Sequence, residues 1–216
     1  MAKILIFGAG GRAGKRVVAE ALARGHRVTA VVRDPAGHPG LTGEGVEVVA
    51  GDVTDADSVA TLVAGHDAVV QAAWQRDLPV VEFFGGAARA LLTGLDRAGV
   101  DRLVLVGIGL LLETEPGVRL LDAEGLPEAA REFSLGHLAE LEVLADTESA
   151  VDWVLLAPPP TALDEEAERT GEYRTGDSTV LPAAAGDRLF SYADLAVAVV
   201  DEVEQGKHHR ALVAIG

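Results

Sequence analysis

The chain contains no cysteine. That excludes a disulfide scaffold, a cysteine zinc site, an iron–sulfur cluster and a thiol nucleophile. Aromatic residues are sparse, two Trp, two Tyr and five Phe in 216 residues, yet 49% of the chain is hydrophobic, so the core must be aliphatic. Positive charge is scarce as well: 18 Lys and Arg stand against 34 Asp and Glu, a formal net charge of −16. A surface of that sign repels phosphate backbones and anionic lipid, which argues against a nucleic-acid or membrane-surface role. No apolar run approaches the roughly 20 residues of a membrane span. The opening Met1-Ala2-Lys3-Ile4-Leu5-Ile6-Phe7 halts at Gly8, too short for a signal-peptide core, so a soluble cytoplasmic protein is expected. Gly-x-Ser-x-Gly is absent, against a hydrolase nucleophile elbow, and so is Gly-Lys-Ser/Thr, against a P-loop.

What is present is an alternation of short apolar runs and helix-length periodic segments. Strands are expected at Ile4–Phe7, Arg27–Val32, Val46–Ala50, Ala68–Gln71, Arg102–Val106, Trp153–Ala157 and Ala211–Ile215. Helices are expected over Lys15–Arg24, stopped by Gly25, over Asp55–Ala64 and over Tyr192–Glu204. Phe83, Phe84, Ala87, Ala88, Leu91, Leu92 and Leu95 form a wide helical stripe ending near Gly99. Leu135, Leu138, Leu141 and Leu144 are read as one helix face. The first strands are continuous apolar runs, as strands buried on both faces are. The expectation is one α/β domain over residues 1–216, a Rossmann-type doubly wound parallel sheet. The least regular stretches, 107–130 and 158–190, follow the fifth and sixth strands, where substrate-covering loops belong. The wide stripe leaves monomer and homodimer both open.

The strongest chemical signal is Gly8-Ala9-Gly10-Gly11-Arg12-Ala13-Gly14, between the first strand and the first helix. Gly8, Gly11 and Gly14 have the spacing GxxGxxG, and Gly10 adds a second turn glycine. Such a turn lets backbone N–H groups approach a pyrophosphate at the positive end of the helix. The second strand ends in Val32-Arg33-Asp34. An NAD site usually carries an acid there, for the ribose 2′-OH. Arg33, with Arg12 in the glycine turn, suits a 2′-phosphate instead, because a planar guanidinium pairs with phosphate oxygens. NADP(H) is therefore expected, with NAD(H) left open by Asp34. After the third strand, Asp52 is placed to accept the adenine amino group and Val53 to pack on the ring, while Asp55 reads as a helix cap. After the fourth, Ala72 and Ala73 are small enough for a ribose to approach, and Trp74 either covers a flat substrate or packs in the protein.

The order GAGGRAG, VVRDP, GDVTD, AGHDAVV, AGVDRLVLV and a late strand ending in prolines resembles the atypical short-chain dehydrogenases/reductases with an NAD(P)H-binding domain, near the NmrA-like proteins. Within that group it is most similar to the biliverdin-IXβ reductase/flavin reductase type. The resemblance spans the chain and is firmest over residues 1–109. It implies NADP(H) and hydride transfer to a flat conjugated acceptor. It implies that Gly8, Gly11, Arg12, Ala13 and Gly14 hold the phosphates and that Arg33 holds the 2′-phosphate. Asp52 and Val53 match adenine contacts. Ala73, Trp74 and Arg76 match the loop passing the nicotinamide-side ribose and pyrophosphate. Pro158 and Pro159 match prolines beside the nicotinamide, and His137 matches a histidine of the substrate pocket.

Two departures qualify the resemblance. Where the family usually carries Ser or Thr after the fifth strand, this chain has Gly107-Ile108-Gly109, and the Tyr-x-x-x-Lys of classical members is missing from Ser134–Glu142. A simple ketone needs a proton as the hydride arrives. A flavin or quinone spreads the charge over its ring, so an ordinary alcohol dehydrogenase is disfavoured. His137 is the best proton donor or substrate contact, because histidine changes charge near neutrality, and Glu140 could orient it. His137 and Glu140 have no third ligand, so no metal is expected. A small conjugated substrate would lie over the nicotinamide near Trp74, Ile108, Leu110, His137 and Pro160, with Gly107 on the cofactor side. Two other readings stay open: a dinucleotide-binding redox sensor with little catalysis, and an epimerase or isomerase on the same fold.

Overall fold

The computed structural model describes residues 1–161, 163–182 and 189–216. Seven parallel strands form the sheet: β1 Lys3–Phe7, β2 Arg27–Val32, β3 Val46–Ala50, β4 Ala68–Gln71, β5 Arg102–Val106, then β8 Asp152–Ala157 and β9 Ala211–Ala214. A small antiparallel hairpin, β6 Glu113–Glu115 and β7 Val118–Arg119, lies outside the sheet. The spatial order is β3-β2-β1-β4-β5-β8-β9. Chain direction across the sheet reverses between β1 and β4, and open α/β sheets bind ligands at the strand ends beside such a crevice. This is the expected Rossmann-type α/β fold, with a hairpin that the apolar pattern does not announce.

Five helices cover the sheet: α1 Arg12–Ala23, α2 Ala56–Val63, α3 Val80–Ala98, α4 Glu128–Asp146 and α5 Tyr192–Gln205. Strand alternation divides the core into two layers. Leu5, Phe7, Val69, Leu103 and Leu105 face α2, α3 and α4. Ile4, Ile6, Val28, Val70, Val104 and Val154 face α1 and α5. All seven residues of the α3 stripe are at most 2% exposed, so the stripe is filled by the chain's own sheet and helices. Gly99 caps α3 at φ 67°, the left-handed region where a side chain is strained. Asp55 caps α2, its carboxylate accepting from the Asp57 and Ser58 amides, as its position predicts.

Helix α4 departs from expectation. A spacing of three drifts round a helix of 3.6 residues per turn, so its four leucines do not share the buried face. Leu135 is 42% exposed and only Leu144 is fully buried. The buried face is Ser134, Gly136, His137, Glu140 and Leu144, three of the five polar. Gly136 explains how that face seats: a methyl group there would lie 2.4 Å from Val80 Cγ1 and 2.8 Å from Phe84 Cδ2. Glycine thus lets α4 close onto α3. Of the two irregular stretches, 107–130 holds the hairpin and two 3₁₀ turns, while Ala162 and residues 183–188 of the second lie outside the described residues.

Candidate functional site

The glycine turn is built by close approach. Gly8 sits at φ 74°, and a methyl group on it would meet the Ala72–Ala73 backbone at 2.5 Å. The turns after β1 and β4 can therefore touch across the crevice. A methyl on Gly14 would lie 2.1 Å from the Gly8 carbonyl oxygen, and the Gly11 amide donates to that oxygen at 2.9 Å. Gly14 faces neither cavity; its role is to let α1 start this close to the turn. Helix α1 has Gly11 as its N-cap with no side-chain cap bond, and it alone among the five helices carries no acidic residue in its first turn. Its first N–H groups are thus left for an anion, which the helix dipole favours.

Two cavities open on this turn. The larger, about 770 Å³, runs from Gly11, Arg12 and Ala13 past Ala72, Ala73, Trp74 and Arg76 to Gly107, Ile108, Leu110, His137 and Pro158–Pro160. The smaller, about 250 Å³, is bounded by Gly8, Gly10, Gly11, Arg33, Asp52 and Val53, with Ala72, Ala73 and Trp74 on the shared wall. Every residue assigned to cofactor or substrate in the sequence except Gly14 therefore lines one of the two. Among the described residues the lining of the larger cavity carries Arg12, Arg33 and Arg76 against one carboxylate, Asp77. Arg12 Nε is 2.9 Å from Glu165, and Arg33 is 3.2 Å from Asp77 rather than from its neighbour Asp34. Asp34 instead caps the following turn, accepting from the Ala36 amide. Arg76 lies over the Trp74 ring at 5.2 Å and has no ion-pair partner among the described residues. Asp52 Oδ1 accepts from the Thr54 amide and hydroxyl, which fixes the turn after β3 while the residue still lines the smaller cavity.

The far end of the larger cavity is aromatic. The Trp74 and Phe133 rings meet edge-on at 5.0 Å, Phe133 meets Phe84 at 5.7 Å, and the His137 ring lies 3.9 Å from Phe84, centroid to centroid. Trp74 is 44% exposed, an open aromatic face at the cavity wall. His137 is only 3% exposed, and its Nδ1 is 2.9 Å from Glu140 Oε2. Its Nε2 has no partner among the described residues. Glu140 is 1% exposed and its Oε1 is buried without a hydrogen-bond partner. Burial pushes the Glu140 carboxyl above the usual carboxylate range, against the pull of the His137 hydrogen bond.

The glycine at the family's Ser/Thr position has a packing cause. A methyl on Gly107 would lie 2.2 Å from Leu155 Cδ2. On Gly109 it would lie 2.3 Å from the Pro158 carbonyl oxygen. The segment after β5 thus lies flat on β8 and its proline run. Among the described residues no group of three His, Cys, Asp or Glu is placed to hold a metal.

Sequence reasoning missed Phe84, Phe133, His38, Asp77 and Tyr192 as lining residues. Phe84 was legible only as core. Asp77 carries no local motif. Tyr192, directly after the Ser191 cap of α5, is read from the sequence only as the start of a helix.

Comparison with known proteins agrees with this geometry. The NAD(P)H-binding family pattern matches residues 8–206. The Bacillus subtilis protein YwnB is 34% identical over 210 residues, which is 95% of this chain and 94% of YwnB. A Bacteroides thetaiotaomicron structure provisionally named an epimerase is 33% identical with TM-score 0.86, covering 100% of this chain and 96% of its own. A Streptococcus pneumoniae structure provisionally named an NADH-flavin reductase is 25% identical with TM-score 0.85, covering 100% and 99%. No helix among the described residues is long and apolar enough to cross a membrane. The uncapped glycine turn, its flanking arginines and the small-residue wall fit a nicotinamide dinucleotide, and the chain belongs to the NAD(P)H-binding family.

Proposed function

We propose that this protein is an NADPH-dependent reductase that delivers hydride to a flat conjugated acceptor such as a flavin, a quinone or a polyketide-like aromatic. The observation that carries the reading is the one cavity lined both by the glycine turn and by His137, whose Nδ1 is held by buried Glu140 behind it, with an aromatic wall beside the histidine. When bound, the reduced nicotinamide supplies the hydride. The rest is the work of the chain. Gly8, Gly10, Gly11, Arg12, Ala13 and Gly14 form the phosphate turn, and Arg76 adds charge along it. Arg33 binds the 2′-phosphate, and Asp52 and Val53 hold adenine. Ala72 and Ala73 admit the ribose, while Gly107, Pro158 and Pro159 flank the nicotinamide end.

The acceptor lies against Trp74, Ile108, Leu110, Pro160 and His137. Aromatic edges and faces at 4–6 Å suit a planar ring, since offset and edge-on contacts stabilise such pairs. His137 holds a proton at Nε2 for the reduced acceptor, with Nδ1 tied to Glu140. The segment 107–130 and the described residues of 158–190 cover the bound substrate. The name of the Streptococcus pneumoniae relative supports a flavin acceptor.

Purified protein with NADPH should reduce FMN, riboflavin, menadione or a cyclic enone faster than buffer does. No acceleration with any of them sinks the reductase reading. Gly107, which has no room for the family's hydroxyl, favours a second reading, a dinucleotide-binding sensor. It predicts tight NADP binding, no turnover and a protein partner that binds only one redox form.

A further inference from the structure

Five of the six histidine side chains have hydrogen-bond partners: His26 with Glu204, His66 with Thr29, His137 with Glu140, His208 with Glu202 and His209 with Asp152. His38 is the exception; its ring has none among the described residues. It is half-buried all the same, and it sits over the glycine turn. A methyl group on Gly10 would lie 2.3 Å from His38 Cε1, 2.5 Å from Nδ1 and 2.8 Å from Nε2. The ring therefore occupies the space that glycine leaves open at position 10.

The backbone holds it there. After β2 the chain makes a single 3₁₀ turn, Pro35–Gly37, capped by Asp34. The His38 amide donates to the Pro35 carbonyl at 3.1 Å, and the His38 carbonyl accepts from Leu41 at 3.0 Å. The turn reverses the chain and brings position 38 back beside Arg33, into the wall of the smaller cavity. The charged groups lining that cavity are Arg33 at the end of β2 and Asp52 after β3, with one oxygen held by Thr54; Asp77 after β4, on the wall of the larger cavity, is engaged by Arg33. Asp34, on the turn itself, is spent on its cap. None of these carboxylates bonds the imidazole.

We propose that His38 is a specificity residue for the adenosine end of the dinucleotide: its ring N–H donates to the 2′-phosphate opposite the Arg33 guanidinium. This rests on the reading of the smaller cavity as the adenosine site. A donor with no protein acceptor, pressed on the glycine turn and facing the same cavity as Arg33, is arranged for an anion that arrives with the ligand. An imidazole has an N–H to give in either charge state, and a phosphate has oxygens beyond those a single guanidinium can fill.

The test is calorimetric titration of the full chain and of His38→Ala, His38→Gln and Arg33→Ala with NADP⁺, NAD⁺, 2′,5′-ADP and 5′-AMP. The last two differ only by the 2′-phosphate. The ring has no protein hydrogen bond to lose, so His38→Ala should fold, and thermal melting confirms it. His38→Ala should weaken NADP⁺ and 2′,5′-ADP by about ten- to 150-fold, the range of a hydrogen bond to a charged group, and NAD⁺ and 5′-AMP by less than about twofold. His38→Gln, which keeps an N–H donor, should recover part of the loss. Equal losses with and without the 2′-phosphate would mean that the ring serves adenosine in general, and no loss would mean that it is spectator packing; either overturns the proposal. If the unaltered protein binds neither dinucleotide, or Arg33→Ala shows no 2′-phosphate preference to lose, the underlying adenosine-site reading fails instead.

Discussion

His137 and Glu140 form a buried pair, Nδ1 to Oε2 at 2.9 Å, in which the second carboxylate oxygen has no partner. Whether the shared proton sits on the carboxyl or on Nδ1, Nε2 carries a hydrogen in the protonated state of the pair. Burial raises the Glu140 carboxyl, and a raised pKa keeps its proton in place to higher pH. Acceptor reduction should be level at low pH and fall about tenfold per pH unit above that raised value. Glu140→Gln should move that fall to lower pH while changing NADPH affinity less than about twofold. His137→Ala should lower kcat about a hundredfold and abolish the pH break. A pH profile unchanged by Glu140→Gln would remove the carboxyl from the proton path.

Arg33 is 59% exposed on its side chain and paired with Asp77 at 3.2 Å. That exposed pair is worth little, so a phosphate that brings more charge can take the guanidinium from it. Arg33→Ala should weaken NADP⁺ about ten- to a hundredfold, as charge-assisted bonds are lost, and NAD⁺ hardly at all. Loss by one common factor, read by fluorescence quenching of Trp74, would place Arg33 outside the 2′-phosphate site.

A second competing carboxylate stands at the phosphate turn. Glu165 engages Arg12 at 2.9 Å, and its carbonyl accepts from Arg16 at 2.7 Å. Any pyrophosphate on the turn meets that carboxylate. Glu165→Gln removes the rival charge and leaves the Arg16 contact in place, so both dinucleotides should bind about two- to fivefold tighter, an exposed pair being worth about 0.2–1 kcal/mol. The gain should shrink in high salt. A weakened affinity would show that Glu165 orders the turn for the ligand instead of competing with it.

How far the sequence carried this picture depends on the range of the forces involved. β2, β4 and β5 are bounded as expected because strands buried on both faces read as largely apolar runs, whereas β3, an edge strand with no fully buried residue, is marked only by its three valines. The glycine turn was legible because its constraint is local: Gly8 and Gly14 answer to atoms within a few residues or just across the crevice. His137 was found by likeness, but its burial was not foreseen. That burial depends on Gly136 admitting Val80 and Phe84 from another helix, and no spacing within α4 encodes it. His38 was missed for the same reason, since its partner, Gly10, is 28 positions away and has no side chain to signal the contact. The hairpin β6–β7 is too short and too charged to show a period.

Asp194 ties the segment after the proline run to α5. Its carboxylate accepts from the Thr170 and Gly171 amides, the Thr170 hydroxyl and the Ser191 hydroxyl. Burial pushes the group up, but these donors prevail and hold it below the usual aspartate range. A depressed folded pKa adds stability that is present above about pH 4 and lost as pH falls through the folded value. Asp194→Asn should therefore cost about 1–3 kcal/mol near neutrality and progressively less below pH 4. A cost that stays constant from pH 7 to pH 3 in urea unfolding would show that shape, not charge, matters at this position.

Gly107 is the sharpest test of why the expected hydroxyl is missing. A serine there puts Cβ 2.2 Å from Leu155 Cδ2 and 3.2 Å from the Leu156 carbonyl oxygen. Leu155 is fully buried between β5 and β9, so it cannot step aside without cost. Gly107→Ser should destabilise the fold by about 1–3 kcal/mol, the usual range for overpacking. Leu155→Val frees the clashing Cδ methyl and should cost about 0.5–1.5 kcal/mol alone, by analogy with Ile→Val. If the clash is the cause, the double variant should be less destabilised than the sum by about 1 kcal/mol or more, a coupling that independent sites do not show. Urea unfolding of the four proteins measures it. Strict additivity would mean that the loop after β5 swings clear of β8 and that Leu155 does not exclude the serine. The double variant then gives a second reading: with a hydroxyl restored at the nicotinamide end, faster reduction would show that packing against β8, rather than the choice of acceptor, removed it.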